Sequence, residues 1–153
     1  MRYFILALAV GISLTTTAHA AGSMVAVWAD TLNNTPTLAL EKDAAAGVSW
    51  HEVVPLRFRR VSWIYDLFGN SSQTKIVAEN GRVYALGSVC KPHDCNDNEA
   101  AFLIEPGGGH AAGAILLLKN NKLVMVSYFG NATPLEHEWL RELLIAGRNI
   151  TIQ

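Results

Sequence analysis

The sequence has little excess charge: 12 lysines and arginines face 13 aspartates and glutamates, for a formal net charge of −1. A chain so balanced has no electrostatic footprint for wholesale binding to nucleic acid or to an anionic lipid surface. Long apolar runs are equally scarce. The run from Phe4 to Leu14 is short for a bilayer span, which needs about 20 residues, and no second one follows. Internal repeats and low-complexity linkers are missing, which argues for one domain. Cysteine is limited to Cys90 and Cys95. No Ser-His-Asp or Cys-His set is visible, and a disulfide would remove the two thiols as nucleophiles, so the sequence reads as a non-enzyme with no cofactor.

What is present begins with a targeting pattern. Arg2, the apolar run and Ala18-His19-Ala20 have the three-part layout of a secretory signal over residues 1–20, with cleavage after Ala20 or Ala21. The remaining 21–153 segment suits a single domain with a real core and no membrane span in the mature form. Export implies an oxidising compartment, where two cysteines most simply form one disulfide. The Asn-x-Ser/Thr sites at Asn33, Asn70, Asn131 and Asn149 match a short, common pattern and carry no weight by themselves.

Between Gly22 and Arg60 the pattern supports one or two helical segments. VAVWA (25–29) fits a short strand or a helix start, and NNTP (33–36) is turn chemistry. SWHE (49–52) has the form of a capping box, which places a helix start at Ser49 with Pro55 as a break. The run 61–69, VSWIYDLFG, is aromatic core material that fits helix and strand equally.

Beyond Gln73 strands dominate. Residues 74–79 and 82–89 flank Asn80-Gly81, the dipeptide suited to a type I′ hairpin turn. Residues 100–105 form a third strand, PGGGH (106–110) a flexible connection with His110 exposed, and 112–119 and 122–129 a second hairpin around Asn120-Asn121. Turns this short favour an antiparallel meander. A last helix starts at Thr133-Pro134-Leu135-Glu136, with Thr133 as N-cap and Glu136 as capping-box partner. Its apolar face is Leu135, Trp139, Leu140, Leu143 and Leu144, Gly147 ends it, and Glu136-His137-Glu138 reads as a solvated first turn. The expected fold is therefore α+β: a five-stranded antiparallel sheet with a C-terminal helix and one or two N-terminal helical segments.

The chemistry concentrates in 90-CKPHDC-95, a potential six-residue ring. Four intervening residues disfavour a redox pair. A zinc site would need a fourth ligand beyond Cys90, Cys95 and His93, and His51, His110 and His137 lack partner spacing, which leaves a periplasmic metal-binding module as a weak alternative. On spacing alone the ring is a stapled surface turn whose histidine is merely exposed. PGGGH lacks the Lys-Ser/Thr of a phosphate loop. Pro92 fixes its own φ and restricts Lys91, so a closed ring would hold His93 in few directions.

The motif also resembles the signature loop of the Ivy family, the periplasmic inhibitors of vertebrate (c-type) lysozyme. All six positions match, and the pattern of strands from about Trp63 to Phe129 is similar, while the segment before Arg60 departs from it. The resemblance implies a protruding loop that occludes the lysozyme cleft, with His93 as key residue, a Cys90–Cys95 disulfide, and Lys91, Pro92 and Asp94 completing the motif. A retaining muramidase carries a protonated acid and a carboxylate about 5 to 5.5 Å apart, which one imidazole can engage from both ring nitrogens. Asp94, Asp97 and Glu99 would then draw the tip toward a basic partner; otherwise Asp97 and Glu99 are solvated loop charges. The same chemistry admits lytic transglycosylases as targets, and a homodimer is left open.

Overall fold

The computed structural model describes residues 22, 24–29, 35–119, 122–145 and 148. The proposed signal over 1–20, the Asn120-Asn121 turn, Asn33, Asn149 and Gly147 lie outside the described residues. VAVWA is helical, within α1 (24–29). Three further helices follow: α2 (Pro36–Lys42), α3 (Ala44–Val53) and the short α4 (Ser62–Tyr65), with a 3-10 turn at Leu56–Phe58. The strands are β1 (Asn70–Ser71), β2 (Lys75–Glu79), β3 (Arg82–Cys90), β4 (Asn98–Ile104), β5 (Ala111–Lys119) and β6 (Lys122–Gly130), and α5 (Pro134–Ile145) closes the described fold.

The expected helix start at Ser49 is corrected. Asp43 caps α3 instead, its Oδ1 accepting from Ala46 N at 3.1 Å, because Ala44-Ala45-Ala46 already favours helix once an acceptor stands before it. Ser49 sits mid-helix and its hydroxyl donates back to the Ala45 carbonyl at 3.1 Å. Pro55 lies past the last turn and breaks nothing. Asp43 is itself buried and also accepts from Trp28 Nε1 at 3.0 Å, which ties α1 to α3.

All five expected strands form, with boundaries shifted by one or two residues, and β1 adds a sixth. Every ladder is antiparallel, in the order β1-β3-β4-β5-β6, and β2 shares the β1 side of β3. Asn80 and Gly81 have φ of 51° and 79°, the left-handed pair of a type I′ turn. Alternate residues of β4 face opposite layers. Ala100, Phe102 and Ile104 pack against Trp50, Ile64 and Leu67, whereas Ala101 and Leu103 pack against Leu140 and Leu144 of α5. Both faces of the sheet are thus covered, which explains why AAFLI and AAGAILLL are continuous apolar runs instead of alternating ones. Burial of Leu140 and Leu144 contributes about 1.5 to 3 kcal/mol each. Two strand glycines make room for the aromatic layer: a Cβ on Gly87 would lie 2.6 Å from Phe102 Cζ, and one on Gly113 would lie 2.4 Å from Phe129 Cζ.

At one end of the sheet two expectations fail together. His110 is not exposed and Glu136 is not solvated; their side chains are 14% and 1% accessible, with His110 Nε2 3.1 Å from Glu136 Oε2. The capping box does form, Thr133 N donating to Glu136 Oε2 at 2.8 Å and Glu136 N to Thr133 Oγ1 at 3.2 Å. The glycine connection is docked, not loose: Gly107 N donates to Asp43 Oδ2 at 2.7 Å and Gly109 N to Ser49 Oγ at 3.0 Å. That docking carries His110 beneath the first turn of α5, so Glu136 takes the inward place expected of Leu135, which is 39% exposed.

Candidate binding loop at the end of the sheet

The opposite end of the sheet carries the cysteine ring. Cys90 ends β3 and is in register with Glu99 of β4, so residues 91–97 are the only chain between two paired strands. Cys90 and Cys95 are disulfide-bonded, with Cα atoms 4.8 Å apart. Within the ring, Asp94 N donates to the Lys91 carbonyl at 2.9 Å, closing a four-residue turn with Pro92 second and His93 third. His93 has φ of 65°, the left-handed value that a type II turn demands at that position and that usually selects glycine or asparagine. Proline suits the second position because its φ is already set. A histidine occupies the tip at a conformational cost of about 1 to 2 kcal/mol.

Lys91, Pro92, His93 and Asn96 are exposed, whereas Asp94 and Cys95 are half-buried and Cys90 is buried. No hydrogen bond, ion pair or ring contact engages the His93 imidazole among the described residues. Beneath the tip, Asp94 Oδ2 accepts from Lys91 Nζ at 3.0 Å and from Asn98 Nδ2 at 2.6 Å. The ladder continues with Lys91 N donating to Asn98 O at 3.1 Å, and Leu118 N of β5 donates to the Asp97 carbonyl at 2.7 Å. Asn70 of β1 reaches Cys95 Sγ with its Nδ2 at 3.6 Å. Gly69 passes so close that a Cβ there would sit 2.3 Å from the Cys90 carbonyl oxygen. Its neighbour Phe68 is 64% exposed.

The charges at the tip differ from expectation. Asp94 is an internal brace of the turn, and Glu99 is no solvated loop charge. Its Oε1 accepts from Ser88 Oγ at 2.6 Å, and its Oε2 is ion-paired with Arg148. Lys91 and Arg148 thus offset two of the three acids, and Asp97 supplies the remaining negative charge. Sequence reasoning missed Arg148, Asn70 and Asn98 as supports. Asp94 and Asn98 stand one helical turn apart and could have been paired on that ground; Arg148 lies 49 residues from Glu99, with no local signal.

The histidines proposed as further zinc ligands are elsewhere. His51 stacks on Tyr65 with ring centres 4.0 Å apart, His137 meets Tyr128 edge-on at 4.8 Å, and His110 belongs to the far end of the sheet. With both sulfurs bonded to each other, the ring presents no thiolate. Among the described residues no cluster of three or more His, Cys, Asp or Glu is arranged to hold a metal ion, and no helix is long and apolar enough to cross a membrane.

Residues 66–133, from the approach to β1 through β6 and the N-cap of α5, match the family model described as inhibitor of vertebrate lysozyme (Ivy). That segment is where the chain is similar to the Ivy family. It contains the whole sheet and the ring, and leaves α1 to α4 and the body of α5 outside. A curated protein named inhibitor of vertebrate lysozyme, from Pseudomonas aeruginosa, is 34% identical over 50 residues. The alignment covers 33% of this chain and 33% of that protein's length.

Proposed function

We propose that this protein is an exported, periplasmic inhibitor of c-type lysozyme that acts by binding and not by catalysis, inserting the Cys90–Cys95 loop into the active-site cleft. The observation that carries this reading is the ring tip: an unpartnered, exposed His93 held at a left-handed φ of 65° between Pro92 and the braced Asp94. A binding residue already fixed in direction loses less entropy on association. The Ivy match over the sheet supports the same reading, as does the N-terminal pattern from Arg2 to Ala20 for export.

The target chemistry fits one imidazole. Lysozyme keeps one carboxyl protonated, with a pKa of about 6 in an apolar pocket, beside an ionised one. A neutral imidazole accepts from the acid through one ring nitrogen and donates to the carboxylate through the other. A protonated imidazole donates to two carboxylates in charge-assisted bonds. Lys91, beside the tip but engaged by Asp94, offers its alkyl stem to the cleft wall.

The test is lysis of peptidoglycan by a c-type lysozyme with increasing amounts of the purified protein. Stoichiometric loss of lysis is expected. Undiminished lysis at excess protein would remove the reading, and inhibition of a lytic transglycosylase alone would reassign the target.

A further inference from the structure

The Arg148 guanidinium reaches the ring from beyond the end of α5. Nη1 donates to the Asn96 carbonyl at 2.5 Å, Nη2 donates to the Cys95 carbonyl at 3.1 Å, and Nη2 also pairs with the Glu99 carboxylate. Both carbonyls belong to the descending limb of the loop, directly after His93 and Asp94. The carboxylate belongs to β4 and accepts in turn from Ser88 Oγ at 2.6 Å, with the Ser72 hydroxyl 3.1 Å from Ser88 Oγ, where it can donate to that oxygen. One planar group therefore joins the movable limb of the ring to two strands of the sheet. The Arg148 and Glu99 side chains are 20% and 15% accessible, so the pair is largely withdrawn from the solvent that weakens surface ion pairs.

We propose that Arg148 is a positioning residue for the ring, fixing the direction in which His93 is presented. The disulfide sets the distance between Cys90 and Cys95 but leaves rotation about the side-chain bonds that flank it. Asp94 braces the turn through Lys91 within the loop and through Asn98, the first residue of β4. Among the described residues, the ties from beyond the two strands that the ring joins are the Leu118 amide, the long Asn70 contact and Arg148, and of these Arg148 alone grips two successive carbonyls. A fork of donors in fixed geometry defines a plane, whereas an ammonium would act as a point charge. The residue lies outside the family-matched segment 66–133, so presentation of the loop depends on a part of the chain that the match does not cover.

The inference rests on the plug reading for its consequence, inhibition, but not for its geometry, so two measurements separate them. In the full mature chain, Arg148→Ala is expected to speed amide hydrogen exchange of residues 93–97 about tenfold while leaving exchange in β4 and β5 unchanged, and to weaken lysozyme inhibition about tenfold, since only part of the loop population remains competent. Arg148→Lys should keep the pairing with Glu99 and wild-type thermal stability, yet leave the loop fast-exchanging. Unaltered loop exchange in Arg148→Ala overturns the proposal, as does faster loop exchange with full inhibition retained. Should Arg148→Ala loosen the whole protein, Arg148→Lys decides: protection fully restored by lysine means that charge alone matters and the positioning role is refuted. If the wild-type protein fails to inhibit lysozyme, the plug reading falls while the exchange comparison still decides whether Arg148 fixes the loop.

Discussion

Replacement of His93 separates two properties that share one residue. The backbone at this position is left-handed, with φ of 65°, which costs a residue with a Cβ about 1 to 2 kcal/mol and glycine nothing. Glycine pays instead in the unfolded chain, by about 0.5 to 1 kcal/mol. Histidine populates this region more readily than alanine does, so alanine should bear the full penalty. The exposed imidazole contributes no core contacts, and His93→Gly is therefore expected to equal the parent in stability or exceed it by up to about 1 kcal/mol, with His93→Ala below both. Inhibition should follow the opposite logic. Each bond from the imidazole to an ionisable partner is worth about 1.5 to 3 kcal/mol, so losing two raises the inhibition constant by about two to four orders of magnitude in either variant. Thermal melts and lysis assays on the same preparations measure both. A His93→Gly protein that melts below His93→Ala refutes the strain argument, and an unchanged inhibition constant in either variant refutes the role assigned to the imidazole.

Other expectations follow from the scaffold. Replacing Cys90 and Cys95 together by serine should lower stability by only about 2 kcal/mol in urea denaturation, the loop-entropy value for so short a ring, yet weaken inhibition more than that stability loss can account for. Glu136→Ala should cost about 2 to 3 kcal/mol by urea denaturation, from the lost cap on Thr133 and the lost His110 contact at the end of the sheet opposite the ring. Gly113→Ala should destabilise by about 1 to 3 kcal/mol, since its methyl would sit 2.4 Å from Phe129 and 2.9 Å from Trp50, without effect on inhibition. Tyr84 is buried, and that burial, helped by the Glu136 carboxylate and opposed by Arg82, raises its phenol above the ordinary 10.0. The folded state then holds its proton after the unfolded chain has released its own, so stability is unaffected below about pH 10 and falls as pH rises beyond it; urea midpoints between pH 9 and 11 should decline less steeply in Tyr84→Phe.

The elements most legible in the sequence are those whose physics is local. Asn80-Gly81 specifies its turn through backbone sterics within two residues, and Thr133-Pro134-Leu135-Glu136 specifies a helix start through bonds between neighbours three apart. The ring is legible for the same reason, because proline and two nearby cysteines constrain the chain whatever surrounds them. Ser49 misled because its competitor, Asp43, is buried by contacts with Trp28 and the Gly107 amide, 15 and 64 residues away. His110 and Glu136 misled in the same way: charge at a helix start reads as solvated unless one knows that a glycine loop folds beneath it. Arg148 gave no sign at all, since its partners are scattered along the loop and β4 and its own neighbours carry no pattern.

The two ends of the sheet use polar groups for different ends, and α5 connects them. Glu136 fastens its first turn to the His110 connection, Leu140 and Leu144 seat its middle on β3, β4 and β5, and Arg148, just past its last turn, grips the ring. A displacement of the helix would therefore be felt at the ring, whereas a change confined to the ring tip need not reach the helix. The coupling is testable by a double substitution. If α5 transmits, Glu136→Ala should accelerate loop exchange only in chains that retain Arg148, so that its effect at residues 93–97 vanishes in Arg148→Ala; equal acceleration in both backgrounds would mean that the two ends of the sheet are independent.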